Sequence, residues 1–96
     1  MINVAVEITK IVDESFPIFV EAVLIDINGT EHYFLDKLPV FSASYNVSVP
    51  CIGEMRCEIV QNKRTTMIVD TSSLDDIESI NGEFRFEVLR NQIIKR

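Results

Sequence analysis

Residues 18–37 have the sequence IFVEAVLIDINGTEHYFLDK, and this stretch decides the fold class. Residues 18–26 are rich in β-branched side chains and almost continuously apolar, which is typical of a central strand covered on both faces. The dipeptide Asn28-Gly29 follows and favours the positive φ angles of a type I′ turn. Residues 31–37 then supply the partner strand. The stretch therefore predicts a β-hairpin.

Apolar and polar side chains also alternate with a period of two on both sides of this hairpin. Residues 2–9 alternate and predict a half-buried strand, which ends before Pro17. Residues 54–61 alternate again and predict one strand. A polar turn at residues 61–64 leads to a returning strand over residues 65–70.

A second Asn-Gly pair, Asn81-Gly82, predicts a hairpin that joins residues 77–80 to residues 83–89. Three hairpin-like units at short spacing indicate an all-β fold, and the whole chain, 1–96, is expected to form a single domain. We expect a small antiparallel barrel or a two-sheet sandwich, OB-like or SH3-like, with about five to seven strands.

Three segments lack this alternation. Residues 42–50 predict a loop that includes at most one helical turn. Residues 70–76 are the best helical candidate, with Ser73 as the expected N-cap. The tail, residues 90–96, predicts a short closing turn or strand.

The predicted core follows from the inward positions of the strands. It comprises Ile2, Val4, Val6, Ile8, Val20, Leu24, Phe34, Met55, Cys57, Ile59, Met67, Val69, Phe84, Phe86 and Val88.

Composition and charge restrict the classes of partner. The 96 residues are 47% hydrophobic, enough for a packed core. The chain has 15 acids against 9 bases, a formal net charge of -6, and seven of the acids but only two of the bases lie in residues 1–50. This balance argues against a nucleic-acid partner. The acidic half is either an ordinary solvated surface or a face for a basic partner.

No sequence signal directs the chain to a membrane. Residues 1–7 contain no basic segment and reach Glu7 too early for a signal peptide, and no apolar run approaches the ~20 residues that span a bilayer. We therefore expect a cytoplasmic protein with no membrane partner.

The cysteines and the single histidine give a weak case for chemistry. Cys51 and Cys57 are separated by about 20 Å if the chain between them is extended, too far for a disulfide, so free thiols are predicted. With His32 as the only histidine, a zinc site has too few ligands. A cysteine–histidine nucleophile pair would need His32 to reach one of the thiols.

Two other constellations have simpler structural interpretations. The acids Asp70, Asp75, Asp76 and Glu78 could suggest a divalent cation, but turn and capping roles explain them more economically. The Phe84-Arg85-Phe86 segment could suggest a single-strand nucleic-acid binder, but its phenylalanines and its arginine point to opposite faces. We therefore expect no catalytic, metal or cofactor-binding residues and no enzyme activity.

Several short segments resemble a group of small, uncharacterised bacterial proteins with no assigned activity. The resemblance supports a bacterial, cytoplasmic, all-β domain, and it transfers no functional residue. The matching segments are Val20-Glu21, Phe34–Phe41, Cys57-Glu58, Val69-Asp70-Thr71, Ile77-Glu78-Ser79 and Phe84–Val88, whereas residues 72–76 depart from the pattern.

These observations lead to two functional hypotheses. The first is a non-enzymatic protein-interaction domain with an unknown protein partner, either a subunit of a complex or a toxin-neutralising, immunity-like protein. The alternative is a β-barrel that binds a small ligand at its mouth. A homodimer is also expected, formed through an exposed edge of the first strand, residues 2–8.

Overall fold

Eight strands form two antiparallel sheets, one more strand than the upper expectation of seven. The computed structural model describes all residues, Met1–Arg96. In chain order the elements are β1 (Ile2–Asp13), β2 (Phe19–Ile25), β3 (Glu31–Lys37), α1 (Leu38–Phe41), β4 (Cys51–Arg56), β5 (Glu58–Asn62), β6 (Thr66–Asp70), α2 (Ser72–Asp75), β7 (Arg85–Leu89), a 3-10 turn (Arg90–Gln92) and β8 (Ile93–Lys95). The all-β class is confirmed, and the two sheets form in place of the closed barrel expected as one alternative.

The first sheet is built around β1. Its order is β3-β2-β1-β4, and β8 also pairs with β1. Along one side of β1 lies β4, while the other side is shared by β8, opposite residues 2–4, and by β2, opposite residues 7–13. The expectation that the first strand forms an exposed edge is therefore wrong, because neighbours on both sides occupy its backbone groups.

The second sheet has the order β5-β6-β7. The chain passes from the first sheet to the second at Cys57, whose N–H donates to the carbonyl of Ile2 at 3.0 Å. The single strand predicted over residues 54–61 is therefore two strands, one in each sheet.

The final predicted hairpin is only partly formed. Gly82 has the positive φ of 79° that the turn requires, and the Ser79 N–H donates to the Glu83 carbonyl at 2.9 Å. Residues 77–80, however, form no strand, because Thr71 binds the carbonyl of Ile77 through its hydroxyl and ties this segment to the end of β6.

One hydrophobic core fills the space between the sheets. Twelve of the predicted core residues are buried, whereas Ile2, Ile59 and Phe84 are half-buried. The pattern missed five buried apolar residues: Ala22, Val23, Leu38, Phe41 and Ile77.

The hairpin between β2 and β3 is confirmed, with Val23 opposite Tyr33. The carboxylate of Asp26 accepts the N–H groups of Asn28 and Thr30 at 2.9 and 3.0 Å, which fixes the turn. On the face opposite the core Val23 is buried, whereas Ile25 is exposed. The prediction that β2 is covered on both faces is therefore met only in part.

The structure contains two short helical turns, α1 and α2. The turn expected in residues 70–76 is present as α2, but Thr71, not Ser73, occupies its N-cap position. Asp70 accepts the N–H of Ser72 at 2.8 Å. The turn expected within residues 42–50 lies earlier, at α1, and the tail forms the expected closing turn and strand. No helix has the length and apolarity needed to cross a bilayer.

Candidate functional site: a groove along the free edge of β4

A surface groove of about 700 Å³ lies beside β4. One wall is the edge of β4, from Ile52 to Arg56, and the other is the segment Pro39–Ser44, which contains α1. Asn3 and Arg96 close the polar end of the floor. We call this depression the β4 groove.

The position of α1 results from two anchors and a glycine. Leu38 and Phe41 are buried in the core, and the Leu38 N–H donates to the Ile18 carbonyl at 2.8 Å. Gly53 has no side chain, so the carbonyl of Phe41 approaches the strand closely. The helical turn therefore packs beside β4 without forming ladder hydrogen bonds to it.

The backbone of β4 presents unpaired groups to the groove. Cys57 donates to Ile2 in β1, so the alternation of an antiparallel ladder directs the odd-numbered residues of β4 toward β1. The N–H and C=O groups of Ile52, Glu54 and Arg56 therefore point away from β1, and no hydrogen bond from a turn, loop or side chain reaches them. This row is a template for one further strand.

The other strand edges are partly bonded, irregular or short, and β8 offers only the three residues Ile93–Lys95. The N–H of Ile80 donates to the Tyr33 carbonyl at the edge of β3, and the N–H of Ile27 donates to the Glu87 carbonyl at the edge of β7. The ladder of β5 is broken by a register shift between Ile59 and Gln61, which discourages regular pairing. The edge of β4 is thus the one that combines a regular ladder with an adjacent groove.

A hydrogen-bonded cluster forms the polar end of the groove. The Nδ2 of Asn3 donates to Glu54 Oε1 at 2.8 Å, and Arg96 binds both oxygens of the same carboxylate. The bonds from Arg96 and then from Asn3 hold the pKa of Glu54 below its usual value. Glu54 therefore stays ionised and ties Arg96, which follows β8, to β4 across β1.

Asn3 also carries the one buried side-chain oxygen without a partner. Its Oδ1 is enclosed, and the Asn3 side chain is directed to the groove side of the sheet. A buried carbonyl oxygen that lacks a hydrogen-bond donor costs free energy. A bound molecule that supplied this donor would therefore make its own binding free energy more favourable.

At its opposite end the groove continues into a smaller depression of about 340 Å³ between α1 and α2. Here Arg56 Nε donates to Asp75 Oδ2 at 2.9 Å, and a second bond joins the same two side chains. Arg56 lowers the pKa of Asp75. The ion pair limits the length of β4 that a partner strand can occupy.

The structure does not bring the cysteines and His32 together as a nucleophile and its base. Both cysteines are free, and burial raises the pKa of Cys57 to about 11, which opposes thiolate formation. His32 Nε2 lies 2.8 Å from Asp26 Oδ2, and its ring packs on Phe86 with centroids 4.8 Å apart. These contacts assign His32 to the stabilisation of the hairpin.

The acidic residues considered for a metal have separate partners. Asp70 pairs with Arg85, and Asp75 pairs with Arg56. Nowhere do three or more histidine, cysteine, aspartate or glutamate side chains converge on one point. In β7, Phe86 is buried against Phe34 while Arg85 is turned away to Asp70, as the alternation predicted.

Sequence reasoning missed the β4 groove because its signals are weak. The alternation over residues 54–61 shows a strand but not which sheet receives it, and Gly53 carries no turn dipeptide. The one usable signal was Pro39, which stands where regular pairing of β3 ends and α1 begins.

Comparisons of the chain with protein-family models, with curated proteins and with solved structures find no match.

Proposed function

We propose that this chain is a non-enzymatic protein-interaction domain that receives an extended segment of a partner protein at the free edge of β4. The unpaired backbone row at Ile52, Glu54 and Arg56 carries the proposal. An added strand would satisfy these groups, and its side chains would alternate between the groove wall at α1 and the open side of the sheet. The role is that of a complex subunit or of an immunity-like partner.

The proposed cellular compartment and the expected homodimer depend on features outside the β4 groove. The free cysteines support a reducing, cytoplasmic compartment. The homodimer expected through an edge of β1 loses its basis, since β1 is paired on both sides. The edge of β4 takes over the role of docking element.

A displayed library of extended eight-residue peptides provides the probe. Selected peptides should slow the amide hydrogen exchange of Ile52 and Glu54. The substitution Ile52→Pro removes one outward N–H without breaking a bond to β1, because Ile52 faces Glu7 in a non-hydrogen-bonded pair. It should lower peptide affinity about tenfold, whereas the matched control Ile52→Ala should leave the affinity nearly unchanged.

Three outcomes contradict the proposal: no peptide is selected, the protected amides lie on another strand, or both substitutions weaken binding equally. The last outcome would indicate that the side chain of Ile52, not its backbone, makes the contact. Circular dichroism of each variant would show that the fold is kept.

A small ligand in the same groove is the second candidate. The unpartnered Asn3 Oδ1 favours it, and the groove volume falls within the ~300–1,000 Å³ typical of ligand sites. The sheets leave no barrel mouth, so this alternative moves to the β4 groove. A small ligand would protect no edge amides and would bind the Ile52→Pro variant normally.

A further inference from the structure

The five-stranded sheet has a second face, on the side away from β5, β6 and β7. We call it the outer face. Register places Tyr33, Val23, Glu7 and Ile52 in one row across β3, β2, β1 and β4. Ile25 and Leu35 lie on the same face in the neighbouring rows. Val23 in the middle of this row is buried and Tyr33 beside it is half-buried, whereas Ile25, Leu35 and Ile52 are exposed.

The outer face carries three large apolar side chains that are exposed to solvent. Ile25 is 50% exposed, Leu35 is 53% exposed and Ile52 is 72% exposed. An antiparallel sheet that faces water on one side normally presents polar residues there. The exposed Ile25 and Leu35 border the buried Val23, so an external element that packed here would extend the buried part of this face.

Charge indicates the chemistry of that element. Glu21 on this face is already satisfied, since Thr9 Oγ1 donates to it at 2.7 Å and Lys10 Nζ lies 3.8 Å away. Glu7 and Glu31 form no ion pair. Glu31 accepts a hydrogen bond from the Tyr33 hydroxyl at 3.1 Å but, like Glu7, has no cationic partner. The two carboxylates beside apolar side chains are complementary to a cationic and apolar partner.

A second copy of the chain fits this face poorly. Two outer faces brought together about a two-fold axis would set Glu7 and Glu31 against the same acids of the other copy. An extended strand binds at a sheet edge, whereas a helix is the element that packs flat on a sheet face. The occupant is thus a helix of a different protein.

The register also sets the spacing of its charges. Glu7 and Glu31 are two strands apart and offset by two residues, which corresponds to about 12 Å. At 1.5 Å per residue, two cations that meet these carboxylates lie about seven or eight residues apart on one helix face. We propose that the outer face binds an amphipathic helix of a partner protein whose apolar stripe is bordered by lysine or arginine side chains at that spacing.

A synthetic helical peptide with a leucine stripe and two lysines about seven residues apart is the probe, and a second peptide with glutamates in place of both lysines is its control. The lysine peptide should bind and the glutamate peptide should bind at least about tenfold more weakly. The double substitution Glu7→Lys with Glu31→Lys should reverse this preference. The matched double reversal Glu58→Lys with Glu83→Lys, at exposed sites away from the outer face, should leave it unchanged.

The proposal is overturned if the lysine peptide fails to bind at about 1 mM, which corresponds to a negligible affinity, if both peptides bind equally, or if the two double variants weaken binding alike. The outer face and the β4 groove share Ile52, so the charge reversals separate the two sites. Extended peptides selected for the groove should still bind the Glu7→Lys with Glu31→Lys variant. The groove itself is tested by the difference between Ile52→Pro and Ile52→Ala, since both variants remove the same side chain from the outer face.

Discussion

The backbone carbonyl oxygen of Phe41 lies 2.8 Å from the position that a β-carbon on Gly53 would occupy. On the same side, Ile8 Cδ1 lies 2.9 Å from that position. Both distances are shorter than the contacts β-carbons make in folded proteins. Gly53 therefore sets the distance between α1 and β4, and with it the width of the β4 groove.

Replacement of Gly53 by alanine should lower the free energy of unfolding by about 1–3 kcal/mol, because the new methyl group meets a backbone atom that cannot rotate away. It should also weaken the binding of groove peptides, since α1 has to move. Chemical denaturation and peptide titration measure the two effects.

The control is Gly29→Ala. Gly29 has φ of 77° in the β2–β3 turn and open space around it, so alanine there costs about 1–2 kcal/mol through backbone strain alone. This variant should keep its peptide affinity. Equal affinity in the Gly53→Ala variant would contradict the role assigned to Gly53.

Phe86→Ala should destabilise the fold by about 3–5 kcal/mol. Phe86 is buried, and its ring centroid lies 5.6 Å from that of Phe34 and 4.8 Å from that of His32. The matched control is Leu89→Ala on the same strand, where the side chain is largely exposed. A loss of less than about 1 kcal/mol in Phe86→Ala would contradict the burial of this ring in the core.

The two thiols should differ in reactivity in the folded protein. Cys51 is half-buried, whereas burial raises the pKa of Cys57 to about 11. At mildly alkaline pH we expect an alkylating reagent to modify Cys51 first and Cys57 only after denaturation. Intact mass and peptide mapping would follow both reactions. Loss of two hydrogens from the unreduced protein would reveal a disulfide and refute the free-thiol assignment.

Stability should decrease in acid, in part through Glu54. Its folded pKa lies below the ordinary 4.5 because of Arg96 and Asn3, so the unfolded chain takes up the proton first as the pH falls. The contribution is fully present above about pH 5 and is lost as the pH falls through the folded pKa.

Glu54→Gln should therefore flatten the dependence of unfolding free energy on pH between about pH 5 and pH 3, relative to the parent. Glu58→Gln, at an exposed position without an ion pair, serves as the control. An unchanged slope in Glu54→Gln would show that the carboxylate gains nothing from Arg96 in the folded state.

Local patterns predicted the β2–β3 hairpin well because its determinants lie within a few residues. Asn28-Gly29 and the apolar alternation suffice for β2 and β3, and Phe86 and Val88 are buried as the period of β7 requires. The break at Cys57 was missed, since both halves of residues 54–61 keep the same period while the chain changes sheet. Alternation records which face a residue takes, not which neighbour its backbone meets.

The groove and the true edges depend on contacts between residues far apart in the chain. The N–H of Ile80 donates to the carbonyl of Tyr33 at the edge of β3, and the N–H of Ile27 donates to the carbonyl of Glu87 at the edge of β7. The residues joined by these bonds are up to about sixty positions apart in the chain. Neither composition nor residue spacing predicts such contacts. Local patterns also do not show which strands neighbour β1. The sequence therefore suggests an edge position for β1, whereas its position in the first sheet is central.

The central place of β1 has a consequence for folding kinetics. β1 leaves the ribosome before the other seven strands, yet its partners include β4 and the last strand, β8, where Ile2 lies opposite Lys95. Contacts this distant in sequence slow folding, because a long loop must close before they form. During synthesis β2 and β4 can pair with β1 early, but the side of residues 2–4 that β8 occupies stays unpaired until β8 emerges. An unpaired strand edge favours aggregation, so the nascent chain should depend on chaperones more than its small size suggests.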